Sequence, residues 1–183
     1  MSFRQARDAK ARRGGGALRL SFERHDWGFA DEAGEAVEGR GYALRDGERS
    51  LAWTSPRLAE RGVEVLKVAG TSHRLQELQD RGFLPGSSVV LRPEPDNPHD
   101  PNAVGVWNEA GTVQAGYVPR ELAAAVAARL GEVEALALWE WRSADGRRFG
   151  LRILVAPPDL LAERPPRLAR DEPRADEPSL RTP

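Results

Sequence analysis

Four prolines, Pro93, Pro95, Pro98 and Pro101, stand within nine residues of this chain. Each locks its own φ and lacks a backbone N–H, so neither a helix nor a central strand can run through them. The residues on both sides are of strand type: Ser87 to Arg92 before, Ala103 to Trp107 after. The chain must therefore turn here, between two short extended segments. The same loop carries Asp96, Asn97, His99, Asp100 and Asn102. A stiffened loop displays polar side chains at low entropic cost. Asx residues beside prolines also make their own local turns, so a loop that merely holds itself together is the competing reading.

The pattern around the loop predicts an α+β module rich in short strands. Val63, Val65, Leu66 and Val68 read as a strand, and His73 to Gly82 as a short helical stretch with Leu75 and Leu78 inward. Ala103–Trp107 and Thr112–Tyr117 form a hairpin about Asn108-Glu109-Ala110-Gly111. Pro119 opens a helix continued by the alanine-rich stretch Glu121 to Leu130. Val133–Arg142 and Arg147–Val155 make a last hairpin around an Asp145-Gly146 turn. Six short strands and two helices predict a small curved sheet or barrel, since no strand–helix alternation supports a parallel stack.

Before this module, Leu18 to Pro56 reads as a small β-rich segment. Leu18, Leu20 and Phe22 alternate with polar residues, and Tyr42–Leu44 pairs with Ser50–Trp53 across Arg45-Asp46-Gly47-Glu48. Trp27 and Trp53 need something to bury against. The organisation expected is a flexible basic arm at 1–17, the β-rich segment at 18–61, the main module at 62–156, and a disordered tail rich in Pro, Arg and acids at 157–183.

Composition removes several function classes. The chain has no cysteine, so disulfide frameworks, zinc ribbons and thiol catalysis are excluded. The basic N-terminus is followed by no apolar leader, and no apolar run approaches the ~20 residues of a membrane span. These features fit a reducing cytoplasm. With 27 basic against 28 acidic residues the chain is no polycation, so nucleic-acid binding has to come from a local patch.

Two motifs carry most of the functional information. Asp96-Asn97-Pro98-His99-Asp100-Pro101-Asn102-Ala103-Val104 is followed by Gly116-Tyr117-Val118-Pro119-Arg120-Glu121-Leu122-Ala123, and Leu66-Lys67-Val68-Ala69-Gly70 leads into Thr71-Ser72-His73 upstream. In this order and spacing they resemble the paired signatures of the HIRAN domain, over about half the chain from Val63 to Ala156. The resemblance implies a modified oligonucleotide-binding barrel, OB-like and six-stranded, that grips the 3′ end of a DNA strand. It implies that Asp100 accepts a hydrogen bond from the terminal hydroxyl, with Asn97 beside it and His99 where a tyrosine is common. Arg120 falls at a phosphate contact and Tyr117 at the adjoining aromatic position. Ser72 and His73 lie on the rim, where the DNA-gripping relatives carry an arginine and an aromatic. A carboxylate repels internal phosphates and so favours a terminal ribose hydroxyl, and a stacked base on an aromatic is worth about 1–3 kcal/mol.

The expected role is therefore binding without turnover. The partners implied are single-stranded DNA ends or gapped DNA, with a helicase or nuclease alongside, in repair or replication-fork processing. No cofactor is expected, and no Gly-x-x-x-x-Gly-Lys-Ser/Thr loop is present for a helicase engine of its own. Three rival readings stand beside it. Ser72, His73 and Asp100 supply the residue types of a hydrolase triad, without a Gly-x-Ser-x-Gly elbow. His25, His73, His99, Asp26, Asp96 and Asp100 supply ligand types for a metal, without a recognisable spacing. Five tryptophans, with Trp139 and Trp141 on one strand face, suit core packing or, where exposed, a stacking platform or the partner surface of a protein-interaction adaptor.

Overall fold

The computed structural model describes residues 17–30, 34–144 and 149–169. The basic arm therefore lies outside the described residues but for Ala17, as do the tip of the Asp145-Gly146 turn and the tail from 170.

Among the described residues nine strands form one mostly antiparallel sheet: β1 (Leu20–Ala30), β2 (Ala36–Asp46), β3 (Arg49–Leu51), β4 (Glu64–Lys67), β5 (Ser88–Pro93), β6 (Val104–Asn108), β7 (Gln114–Tyr117), β8 (Glu134–Ser143) and β9 (Phe149–Ala156). Two short helices accompany them, α1 (Pro56–Ala59) and α2 (Arg120–Ala127). The strand β8 organises the whole. One edge pairs with β9 along nearly its full length, while the other is shared, its start with β5 and its second half with β2. The β-rich segment at 18–61 is thus spliced into the same sheet as the module that follows it. The proline loop does what its residues require, ending β5 at Pro93 and returning as β6.

Two cores sit on opposite sides of the β8–β9 wall. Phe149, Leu151, Ile153 and Val155 of β9 face a core with Leu66, Val68, Phe83, Val104, Val106 and Val126. Leu154 and Ala156 face the other, with Leu20, Tyr42, Leu44, Leu58, Leu136 and Trp139. A strand buried on both faces reads as a continuous apolar run, which is how β9 is written. A bulge between Ala137 and Trp139 lets Leu138 drop out of register.

The structure departs from the sequence expectation in three places. The sheet is not closed by a full ladder into a barrel: β7 meets the chain after β4 through one isolated bridge, Ala69–Tyr117. The helix expected over His73–Gly82 is instead a series of 3-10 turns at Thr71–His73, Glu77–Gln79 and Arg81–Phe83. Asp80 interrupts it, with extended backbone and a carboxylate that accepts from the Gly82 N–H at 2.8 Å. Residues 157–169, placed by sequence in a disordered tail, pack against the second core. Leu161 and Leu168 are buried, the Leu168 N–H donates to Pro85 O at 2.9 Å, and Tyr42 donates its hydroxyl to Pro166 O. Three leucines in a proline-rich stretch are enough to anchor it, because the prolines lower the cost of ordering the backbone.

Candidate nucleic-acid interface

The bridge between β7 and the end of β4 assembles the site. Ala69 N–H donates to Tyr117 O at 2.8 Å, and Tyr117 N–H returns to Ala69 O at 3.0 Å. This approach requires Gly116, whose φ is +148° and where a Cβ would press on the Ala69 carbonyl and lie 2.9 Å from Val68 Cγ1. Gly70 then takes a left-handed conformation, φ +79°, and starts the Thr71–His73 turn. Thr71 is buried beneath it, while Ser72 and His73 are exposed. Beyond Tyr117, Pro119 caps α2 and sets Arg120 at its first residue.

An open cleft of about 580 Å³ lies between these segments, lined by Lys67, Ser72, Arg120, Trp141 and Phe149 among others. Two cations, two aromatic rings and the Glu121 carboxylate thus share one hollow. Other hollows among the described residues lack this mix. One of about 350 Å³ has Glu109, Glu134 and Arg164 but no ring, and Arg164 is already paired with Glu134. Another of about 570 Å³ around Arg49 and Arg57 also has no ring.

The proline loop borders the cleft through Asp100. Its Oδ1 accepts from the Asn102 N–H at 2.9 Å, and its Oδ2 lies 3.5 Å from Arg120 Nε. The Asp100 carboxylate is mostly covered, while Arg120 is 79% exposed and so keeps most of its donors toward solvent. Asn97 works inside the loop, its Oδ1 accepting from the backbone N–H groups of His99 (3.0 Å) and Asp100 (3.3 Å). His99 points outward, exposed. Tyr117 is half-buried beside the cleft, with the Arg74 guanidinium 5.8 Å from its ring centroid.

The structure therefore brings Ser72 and Arg120 into one wall, ties Asp100 to Arg120, and links Tyr117 to the Ser72 turn through Ala69. It assigns the Asn97 side-chain oxygen to shaping the loop. Among the described residues no hydrogen bond joins Ser72, His73 and Asp100, and no three His, Asp or Glu side chains gather in a metal-binding group. Sequence reasoning passed over Lys67 and Phe149 as site residues, and weighed Arg74 only as a cation that could compensate for Ser72 and Trp141 only as core or, if exposed, a stacking or partner surface. Lys67 carried a usable signal, a cation at the exposed position of a strand whose neighbours Leu66 and Val68 are buried.

A curved antiparallel sheet with a basic, ring-lined cleft defines a binding module rather than a bare scaffold. Residues 62–136 match the family model of the HIRAN domain. HIRAN domains are in general DNA-binding modules. A solved structure, the HIRAN domain of human HLTF, is similar at 22% identity with a TM-score of 0.35, over 54% of this chain and 78% of that one. No curated protein matches the chain. No helix among the described residues is long and apolar enough to cross a membrane.

Proposed function

We propose that this protein binds single-stranded DNA in the Lys67–Arg120–Trp141–Phe149 cleft and prefers a strand with a free 3′ end. One observation carries the reading: cations and aromatic rings meet in a single open cleft beside a carboxylate held by Arg120. The six strands β4 to β9 act as the OB-like wall, and Trp141, beside the buried Phe149, takes an unstacked base. Arg120, Lys67 and Arg74 take phosphates, with Ser72 and His73 on the rim. Asp100 keeps free lone pairs on both oxygens, so it accepts from a terminal ribose hydroxyl while repelling an internal phosphate. Asn97 and His99 shape and flank the loop that presents it. The protein acts by binding, in repair or replication-fork processing in the cytoplasm, and a helicase or nuclease partner performs the turnover.

The test is fluorescence anisotropy with short labelled strands ending in a 3′ hydroxyl or a 3′ phosphate, and with a blocked duplex end. Tight binding to the hydroxyl end, lost with the phosphate and with Asp100→Ala, is the expected result. Arg120→Ala should weaken all strands and reduce the salt slope by about 1. Binding indifferent to end chemistry would reduce the reading to a general phosphate grip, and no binding at low salt would overturn it.

A further inference from the structure

The strand pairing lines up side chains far beyond the cleft. Lys67 faces Arg152 across β4–β9, Arg152 faces Trp139 across β9–β8, Trp139 faces Gly41 of β2, and Gly41 faces His25 of β1. Directly paired residues share a sheet face, so these five form one row. The next row on that face runs Gly150, Trp141, Gly39, Trp27. The glycines let the indoles lie flat on the sheet. A Cβ at Gly39 would come 2.8 Å from Trp139 Cε2, one at Gly41 2.8 Å from Trp139 Cδ1, and one at Gly150 2.6 Å from Trp141 Cδ1.

Trp139 is buried by what lies on it. Trp27 stacks on it at 4.7 Å and 15°, and Trp53 lies 5.8 Å away. The upper layer stays open: Trp27, Trp53 and Trp141 are only partly buried, and His25 is exposed, 4.6 Å from Trp27. The Arg152 guanidinium sits 4.8 Å over the Trp53 ring, and burial lowers its pKa without discharging it. Neither row contains an aspartate or glutamate. Asp26 and Glu140 fall on the opposite face with Arg24 and Arg40, and Glu23, beside His25 on this face of β1, is paired with Arg45. Trp141 and Lys67 belong both to this surface and to the cleft.

We infer that a bound single strand leaves the cleft at Lys67 and Trp141 and continues over Trp53, Trp27 and His25, on a platform built by residues outside the family match. The inference rests on the proposed strand-binding cleft and extends it to a second segment. From β4 to β1 the row crosses four strand spacings, ~19 Å at ~4.8 Å each. That holds about five stacked nucleotides at ~3.4 Å each. Flat rings suit bases of any sequence, and two rows with Lys67 and Arg152 and no carboxylate suit a polyanion.

The experiment compares the full chain's affinity for 3′-hydroxyl strands of about 4 and about 12 nucleotides, spanning the site sizes usual for such folds. Wild type should bind the longer strand more tightly. Trp53→Ala, Arg152→Gln and His25→Glu should each weaken the longer strand, Trp53→Ala by about 5- to 150-fold as one lost stacking contact implies, and leave the shorter one unchanged. Arg120→Ala should weaken both. Arg152→Gln and His25→Glu alter accessible groups and carry the test if Trp53→Ala unfolds by thermal melt. Equal affinity for both lengths, or platform variants that weaken both alike, would overturn the platform while leaving the cleft intact. Failure of the short strand to bind wild type would overturn the cleft and the platform with it.

Discussion

Gly116→Ala is the perturbation most closely tied to how the site is assembled. At φ +148° an alanine is strained, at about 1–3 kcal/mol. Its methyl would also press on the Ala69 carbonyl, a backbone atom that cannot rotate aside. Relief requires opening the bridge, with its hydrogen bonds of 2.8 and 3.0 Å, each worth about 0.5–1.5 kcal/mol net. The stiffer unfolded chain returns about 0.4–1 kcal/mol. The expected net loss is about 2–5 kcal/mol, which for a chain of this size lowers the Tm by roughly 4–20 °C. Differential scanning calorimetry measures it, with Gly131→Ala as the control. Gly131 has no neighbour within 4 Å of its would-be Cβ and no positive φ, so that change should be neutral or stabilising by up to about 1 kcal/mol. A Gly116→Ala protein melting within about 1 °C of the parent would refute the reasoning. Below its melting point the variant should also bind strands more weakly, because Tyr117 and the Ser72 turn are no longer tied together.

Two further outcomes follow from buried charge. Glu140 is 2% exposed, with Arg40 Nε at 2.6 Å and Arg142 at 3.7 Å. Glu140→Ala removes the carboxylate both share, leaving Arg40 on the Ala169 carbonyl and Arg142 on Gln79, and should cost about 1.5–3 kcal/mol in urea unfolding; a loss under about 1 kcal/mol would show that water already screens the group. Asp46 is held below the ordinary aspartate pKa by the Arg19 backbone N–H at 3.0 Å, with Arg57 Nε at 2.5 Å adding to it. A depressed folded pKa contributes stability above the unfolded value and loses it as pH falls through the folded one. Asp46→Asn should therefore flatten the stability profile below about pH 4, and an unchanged acid limb would count against it.

The extended segments were legible wherever local chemistry decides conformation. The Asn108–Gly111 turn places its hairpin as expected, and Pro119 marks the start of α2. β2 pairs with β3 but runs on through Arg45 and Asp46, so that only Gly47 and Glu48 turn. Ser72, Asp100 and Arg120 could be singled out because the motifs that carry them resemble the HIRAN signatures. The 3-10 series at Thr71–Phe83 was misread as a helix because leucine spacing alone does not reveal that Asp80 turns its carboxylate on the backbone.

What sequence could not supply was adjacency across long separations. Lys67, Trp141 and Phe149 meet because β4, β8 and β9 are neighbours, and Trp27 reaches Trp139 because β2 takes the half of the β8 edge that β5 leaves free. Local dihedral preference and side-chain alternation are properties of a few consecutive residues, so the chain states them openly. Which edges pair, and therefore which rings and cations share a surface, depends on burying apolar area from both sides of β8–β9 at once. That requirement acts on the whole chain, and only the folded sheet satisfies it.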